Sequence, residues 1–217
     1  MSPRPVVISV DGPAAAGKGT LARRLAAAQG YAYLDTGLIY RAVGAKLLAR
    51  RGEPAETAAA VAAARSLNPA DLERPDLRGD DIAVAASRVA AIPEVREALL
   101  AFQRDFAAGP PGGAPGAVID GRDIGTVVCP DAPVKLFITA SVRVRAARRV
   151  RELRQRGLSV CAARVLRDMI ERDGRDAERA VAPLRPADDA WCLDTSELGP
   201  DTVLRLALAV VEHRQFA

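Results

Sequence analysis

A mainly apolar run, Val6-Val7-Ile8-Ser9-Val10, leads straight into Asp11-Gly12-Pro13-Ala14-Ala15-Ala16-Gly17-Lys18-Gly19-Thr20-Leu21. The order is strand, glycine-rich turn, helix start. The spacing Gly12, four residues, Gly17-Lys18 and then Thr20 lets successive backbone N–H groups point inward at a polyphosphate. Lys18 adds a point charge on the terminal phosphates, and the helix that begins there adds the positive end of its dipole. The hydroxyl of Thr20 is placed to ligate magnesium. An ordinary strand-to-helix turn is the alternative, but the apolar strand in front and the helix pattern behind both favour a phosphate cradle. Gly12, Pro13, Ala14, Ala15, Ala16, Gly17, Lys18, Gly19 and Thr20 are therefore the expected triphosphate-binding residues.

The rest of the chain repeats the strand-then-helix theme. Short apolar strands are predicted at Tyr31–Asp35, Ala117–Asp120, Val134–Ile138 and Ala190–Asp194, with that at Val6 making five. Amphipathic helices are predicted at Thr36–Arg50, about Pro54–Arg65, about Asp80–Ala91, Pro93–Ala107 and Asp201–Arg214, with a charged helical stretch from Ser141 to about Arg179 broken near Gly157. Gly109 to Gly116 is a loop of glycine and proline. Such alternation predicts an α/β fold, a parallel five-stranded sheet with helices on both faces. Ligands then bind at the carboxyl ends of the strands, where Asp11, Asp35, Asp120 and Asp194 fall.

Scarcity excludes whole classes of function. The sole histidine, His213, stands near the end of the chain, which argues against a Ser-His-Asp triad or a histidine-rich metal site. The sole asparagine, Asn68, lies outside any guanine-reading motif. Cys129, Cys161 and Cys192 are odd in number and far apart, so reduced and buried thiols are expected rather than a disulfide framework. No apolar run is long enough for a membrane span, and residues 1–5 lack an export signal, which together predict a cytoplasmic protein with no membrane partner. The net charge of +4 permits a nucleic-acid partner, but aromatic residues make up only 4% of the chain, too few for a stacking platform, and no nucleic acid is expected.

Two further features narrow the reaction. Asp120-Gly121-Arg122-Asp123-Ile124-Gly125-Thr126 puts two carboxylates and an arginine at one strand end. Asp120, after three apolar residues, is like the acid that orients magnesium and its waters beside a bound triphosphate. A turn whose aspartates bond their own backbone is the alternative. Thirteen arginines lie between Arg143 and Arg185, and those from Arg143 to Arg156 are opposed locally only by Glu152. A solvated, salt-bridged face would explain Asp168/Arg172, Glu171/Arg175 and Arg172/Asp176. The unbalanced part suggests a mobile lid whose guanidinium groups close over a transferring phosphoryl group, worth about 10³- to 10⁵-fold in rate. With no histidine to act as base, a phosphate monoester suits the site as acceptor, because its second pKa near 6 already makes it an anionic nucleophile.

The phosphate loop, Asp35-Thr36-Gly37-Leu38-Ile39-Tyr40-Arg41, Asp120 to Val128, Pro130 to Lys135, Arg172-Asp173-Gly174-Arg175-Asp176 and Arg179 to Leu184 closely resemble bacterial cytidylate kinases, from about Val6 to the final helix. The resemblance implies transfer of the γ-phosphoryl group of ATP to CMP or dCMP with Mg²⁺, in a P-loop nucleoside monophosphate kinase fold. It implies a single domain over residues 1–217: a core of about 1–50, 117–147 and 186–217, a helical acceptor-binding insertion at about 51–116, and a short arginine-rich lid at about 148–160 followed by an acceptor-contacting helix to 185. Residues matching Arg41, Arg122 and Arg179 hold the acceptor phosphate. Those matching Ser87, Arg96 and Asp123 face cytosine, and those matching Arg172 and Asp176 contact the ribose. Thr36 matches a residue beside the acceptor, Arg148 and Arg149 match the lid pair that acts with Lys18 and Arg122 in catalysis, and Thr20 with Asp120, directly or through water, serves the metal. Thr36 could instead cap its helix, and Arg172, Asp176 and Arg179 could form a salt-bridged stripe. A monomer is the simpler expectation for a protein whose insertions must move. Longer members of the family carry a small sheet in the insertion; here Ser66–Gly79 is short and proline-broken, which predicts a loop instead.

Overall fold

The computed structural model describes residues 5–50 and 56–216. Residues 1–4, read above for an export signal, and 51–55, which hold the predicted helix start at Pro54, lie outside the described residues. The chain packs as two compact units, residues 1–34 with 107–217 and residues 35–106.

The larger unit is built on a parallel five-stranded sheet of order β2-β3-β1-β4-β5, formed by β1 (Val6–Asp11), β2 (Ala32–Asp35), β3 (Gly116–Gly121), β4 (Val134–Thr139) and β5 (Trp191–Asp194). The two strands that flank β1 are supplied from distant parts of the chain, as parallel pairing requires. Their register sets Val10 beside Asp120 and Leu136, and Asp11 beside Gly121 and Phe137. β5 extends the sheet on β4, with Thr139 beside Asp194. Asp11 and Asp120 are thus brought within one residue of level, with Asp194 two residues further along. β3 is buried along its whole length and Ile8 and Val10 are inaccessible to solvent, which is why these strands read as continuous apolar runs rather than alternating ones.

Helices α1 (Lys18–Gln29) and α8 (Pro200–Phe216) build the main core with the sheet: Leu21, Ala22, Leu25 and Ala26 meet Val203, Ala207 and Val211 around Ile8, Val10, Leu136 and Ile138. α1 stops at Gly30, whose φ of 66° lets its N–H return to the carbonyl of Ala26. Helices α6 (Val142–Gln155) and α7 (Ala162–Ala177) join through Ala146, Val150, Leu153, Val165 and Met169. Ser141 starts α6 by accepting from the N–H of Val144.

The smaller unit holds α2 (Thr36–Ala49), α3 (Thr57–Arg65), α4 (Asp80–Val89) and α5 (Pro93–Ala108). Its core includes Ala42, Ala45, Leu77 and Ile82, and Gly44 of α2 lets the backbone of α4 come close, since a Cβ there would stand 3.1 Å from the nitrogen of Ala86. α2, grouped with the core on sequence, packs inside this unit. The stretch Ser66–Gly79 holds two 3₁₀ turns, Pro69–Glu73 and Pro75–Arg78, and no strand. Prolines start both turns, and Asn68 and Asp71 cap the first one reciprocally. One expectation fails: of the three cysteines Cys161 and Cys192 are exposed and Cys129 only partly buried, because Cys161 stands at the exposed start of α7 and Cys192 sits on an exposed edge strand. Among the described residues no helix is long and apolar enough to cross a membrane.

Gly12 is the tightest point of the fold. Its φ is +146°, and a Cβ on it would overlap the carbonyl oxygen of Ile138 in β4. Gly12→Ala should therefore destabilise the protein by about 2–3 kcal/mol, read as a drop in Tm of roughly 5–10 °C in thermal unfolding followed by circular dichroism.

Candidate active site

The loop from Gly12 to Gly17 leaves β1 and returns as α1, with Lys18, Gly19 and Thr20 in the first helical turn. Its path uses left-handed backbone at Ala15 (φ 58°) and Gly17 (φ 94°), the geometry that turns consecutive N–H groups to one side. Lys18 Nζ lies 3.2 Å from Asp120 Oδ1, and the hydroxyl of Tyr33 donates to Asp120 Oδ2 at 3.3 Å. Asp120 reaches this position because Gly19 has no side chain; a Cβ there would stand 2.9 Å from Asp120 Oδ2. Thr20 is exposed at the mouth of the loop.

The loop's outward carbonyls are held from behind. Ala14 O accepts from Arg145 at 3.3 Å, and Ala16 O accepts from Arg148 at 3.3 Å and from the Thr195 hydroxyl at 2.9 Å. Arg148 also donates to the carbonyl of Thr195 at 2.6 Å. A cleft of about 390 Å³ opens here, lined by Gly17, Thr20, Arg148, Thr195, Leu198 and Val203 among others. That is the size of a small-ligand site. A groove of about 770 Å³ between α6 and α7 touches no residue of the loop. The two predicted lid arginines therefore differ: Arg148 is fixed to the loop, while Arg149 pairs with Glu152 at 2.8 Å.

A second cluster gathers three candidate arginines around a fourth candidate, an acid. Arg122 Nε donates to Asp176 Oδ2 at 3.0 Å, and Arg172 and Arg179 act on the same carboxylate through their charges. Burial alone would raise the pKa of Asp176, but the three guanidinium groups and the bond from Arg122 outweigh it and hold it below the ordinary carboxylate range. Asp123 is buried nearby in sequence, at the head of the tight π-turn Ile124–Val128. That turn is clamped by Asp11, whose two oxygens accept from the N–H groups of Ile124 and Gly125, both at 2.8 Å. Burial pushes Asp11 up to about 7; the two N–H donors oppose it, and the Asp123 and Asp120 carboxylates reinforce it.

The smaller unit holds the remaining candidates. Thr36 is buried in the first turn of α2, and the cap position belongs to Asp35, so Thr36 is not the capping residue. Arg41 donates to the carbonyl of Leu77 at 2.9 Å. Ser87 and Arg96 are buried on α4 and α5, and the Arg96 guanidinium lies over the Tyr40 ring at 5.5 Å while donating to Ala90 O.

Sequence reasoning missed Arg145, Thr195, Tyr33 and the clamp formed by Asp11. Only Asp11 carried a signal, an acid between an apolar strand and a glycine; the others find partners far away in the chain.

A family model described as cytidylate kinase matches residues 8–213. The chain belongs to the cytidylate kinase family. A cytidylate kinase of Paramagnetospirillum magneticum is 63% identical over 209 residues, covering 96% of this chain and 99% of its own. That of Rhodospirillum rubrum is 58% identical, covering 96% and 98%. Among solved structures, a sugar kinase from Janibacter sp. superposes with a TM-score of 0.51 at 14% identity over 96% of this chain and 95% of its own, a likeness of fold alone.

Asp176 gives a pH test. A carboxylate whose folded pKa is depressed contributes stability above its unfolded value near 4, lost as pH falls through the folded value. Asp176→Asn should cost about 2–3 kcal/mol at pH 7. The gap in Tm from the unaltered protein should close as thermal unfolding is repeated from pH 6 down to pH 3.

Proposed function

We propose that the protein transfers the γ-phosphoryl group of ATP to CMP or dCMP, giving ADP and CDP or dCDP. The observation that carries this reading is the pairing of two devices in one unit: a phosphate loop with Lys18 against Asp120, and three arginines gathered around Asp176. Membership of the cytidylate kinase family supplies the acceptor.

On this reading the inward amides of residues 12–17, Lys18 and Thr20 hold the triphosphate, and the cleft beside Thr195 and Leu198 takes the donor nucleoside. Magnesium suits the donor set, which is all hard oxygen: the Thr20 hydroxyl, the Asp120 carboxylate and the phosphates. Bound there, it would neutralise charge developing on the transferring phosphates. Arg122 and Arg179 with Arg41 hold the acceptor phosphate, where their forked donors match its oxygens. Arg172 and Asp176 receive the ribose and Thr36 lies beside the acceptor. Asp123, with Ser87 and Arg96, reads the base: its carboxylate accepts from the exocyclic amine of cytosine. Uracil would set a carbonyl against that buried acid and lose roughly 1–3 kcal/mol. No general base is required, because the attacking phosphate is already anionic. Arg148 and Arg149 supply positive charge to the transferring group, residues 148–160 forming the lid and about 51–116 the acceptor-binding insertion of one domain. The working form is a cytoplasmic monomer.

Release of ADP with ATP, Mg²⁺ and each of CMP, dCMP, UMP, AMP and GMP tests the reading; turnover is expected with the cytidine nucleotides, and silence with both would refute it. Asp123→Asn should lower the preference for CMP over UMP in kcat/KM by about tenfold or more. An unchanged preference would remove Asp123 from base recognition.

A further inference from the structure

Arg145 belongs to the locally unbalanced cationic stretch from Arg143 to Arg156, yet its side chain is only 6% exposed. Its guanidinium makes four bonds to three parts of the larger unit: Nε to Ala140 O at 2.8 Å before α6, Nη1 to Ala14 O at 3.3 Å in the phosphate loop, and both terminal nitrogens to Asp173 on α7, at 3.1 and 2.7 Å. A buried guanidinium demands its partners, since removing the carboxylate would leave an uncompensated charge. Its planar fork also fixes their orientation, as an ammonium group cannot.

Each end of this bridge leads to a reacting partner on the reading above. No peptide bond in the described chain is cis, so holding the Ala14 carbonyl toward Arg145 sends the Ala15 N–H the opposite way. Ala15 has a left-handed φ of 58° without being glycine, a conformation that persists only where its surroundings enforce it. At the other end, Asp173 stands between Arg172 and Asp176, one turn of α7 from the acid around which Arg122, Arg172 and Arg179 gather.

We propose that Arg145 is a positioning residue that locks the phosphate loop to α7 through Ala14 and Asp173, so that filling the loop with a nucleoside triphosphate orders the acceptor-binding residues of α7. The inference rests on the kinase reading for the role of α7, but its first test does not need an acceptor.

Hydrogen exchange of the full chain is followed by mass spectrometry with and without the non-hydrolysable analogue adenylyl imidodiphosphate. In the unaltered protein the analogue should slow exchange in residues 12–17 and also in 172–178. In Asp173→Asn and Arg145→Lys it should still slow the loop but leave α7 unchanged. Steady-state kinetics should show the KM for CMP at saturating ATP raised by about tenfold and, by linkage, the KM for ATP at saturating CMP raised alike, while the dissociation constant of the analogue without acceptor changes far less. Unchanged exchange of α7 in the unaltered protein, or equal slowing in the variants, would overturn the proposal, and so would a lower kcat with an unchanged KM for CMP. Circular dichroism checks that each variant folds; Arg145→Lys, which keeps the cation, stands in if Asp173→Asn does not, and the exchange of the unaltered protein decides alone if neither does. A protein that turns over no CMP while α7 still responds to the analogue would refute the acceptor and keep the coupling.

Discussion

A trans peptide carries its N–H and its C=O on opposite sides, so a loop that turns amides inward must turn carbonyls outward and find donors for them. Much else in the larger unit follows from this constraint. The outward carbonyls of Ala14 and Ala16 are met by Arg145, Arg148 and Thr195, which come from α6 and from the end of β5. The sheet order places β5 next to β4 and so delivers Thr195 to the back of the loop, where its N–H also bonds Thr139 O at 2.8 Å. A cationic helix thereby serves the loop structurally, as well as standing close enough to offer charge to a ligand.

The neighbouring strand end shows the converse arrangement, a buried acid organising donors. Asp11 accepts two N–H groups from the π-turn that follows Arg122 and Asp123. Those two bonds oppose the cost of burying a carboxylate at a site 5% exposed, yet burial still lifts its pKa to about 7. The acid at the end of β1 thus braces the loop after β3.

The parts of the fold that were readable in the sequence are those encoded locally. Apolar runs marked all five strands, four of them ending in aspartate, because the inner strands of a parallel sheet are buried on both faces, and Gly17-Lys18-Gly19-Thr20 marked the loop because backbone geometry there depends on residue type. Proline at 69 and 75 marked the 3₁₀ turns of Ser66–Gly79 as no place for strands. What could not be read is long-range pairing of charge. The stretch from Arg143 to Arg156 looks unbalanced in sequence, yet Arg145 finds Asp173 28 residues away and Arg148 finds Thr195 47 residues away. The sequence shows only a helical stretch rich in arginine, and the fold decides which of them face inward. The cysteines failed for the same reason: their usual burial is a tendency of the residue type, overridden where one stands at a helix start and another lies on an edge strand.

The arginine cluster carries the deepest link between charge and chemistry. Asp176 is held ionised by its neighbours Arg122, Arg172 and Arg179. It spaces and orients like charges that would otherwise repel, as its bond to Arg122 Nε shows. On the kinase reading, the forked donors of Arg122 and Arg179 would then meet the oxygens of a phosphate monoester, whose charge at neutral pH is about −1.5 to −2. An acceptor without a phosphate would forgo those charge-assisted bonds, so on that reading the cluster favours a monophosphate before any contact with the base is made.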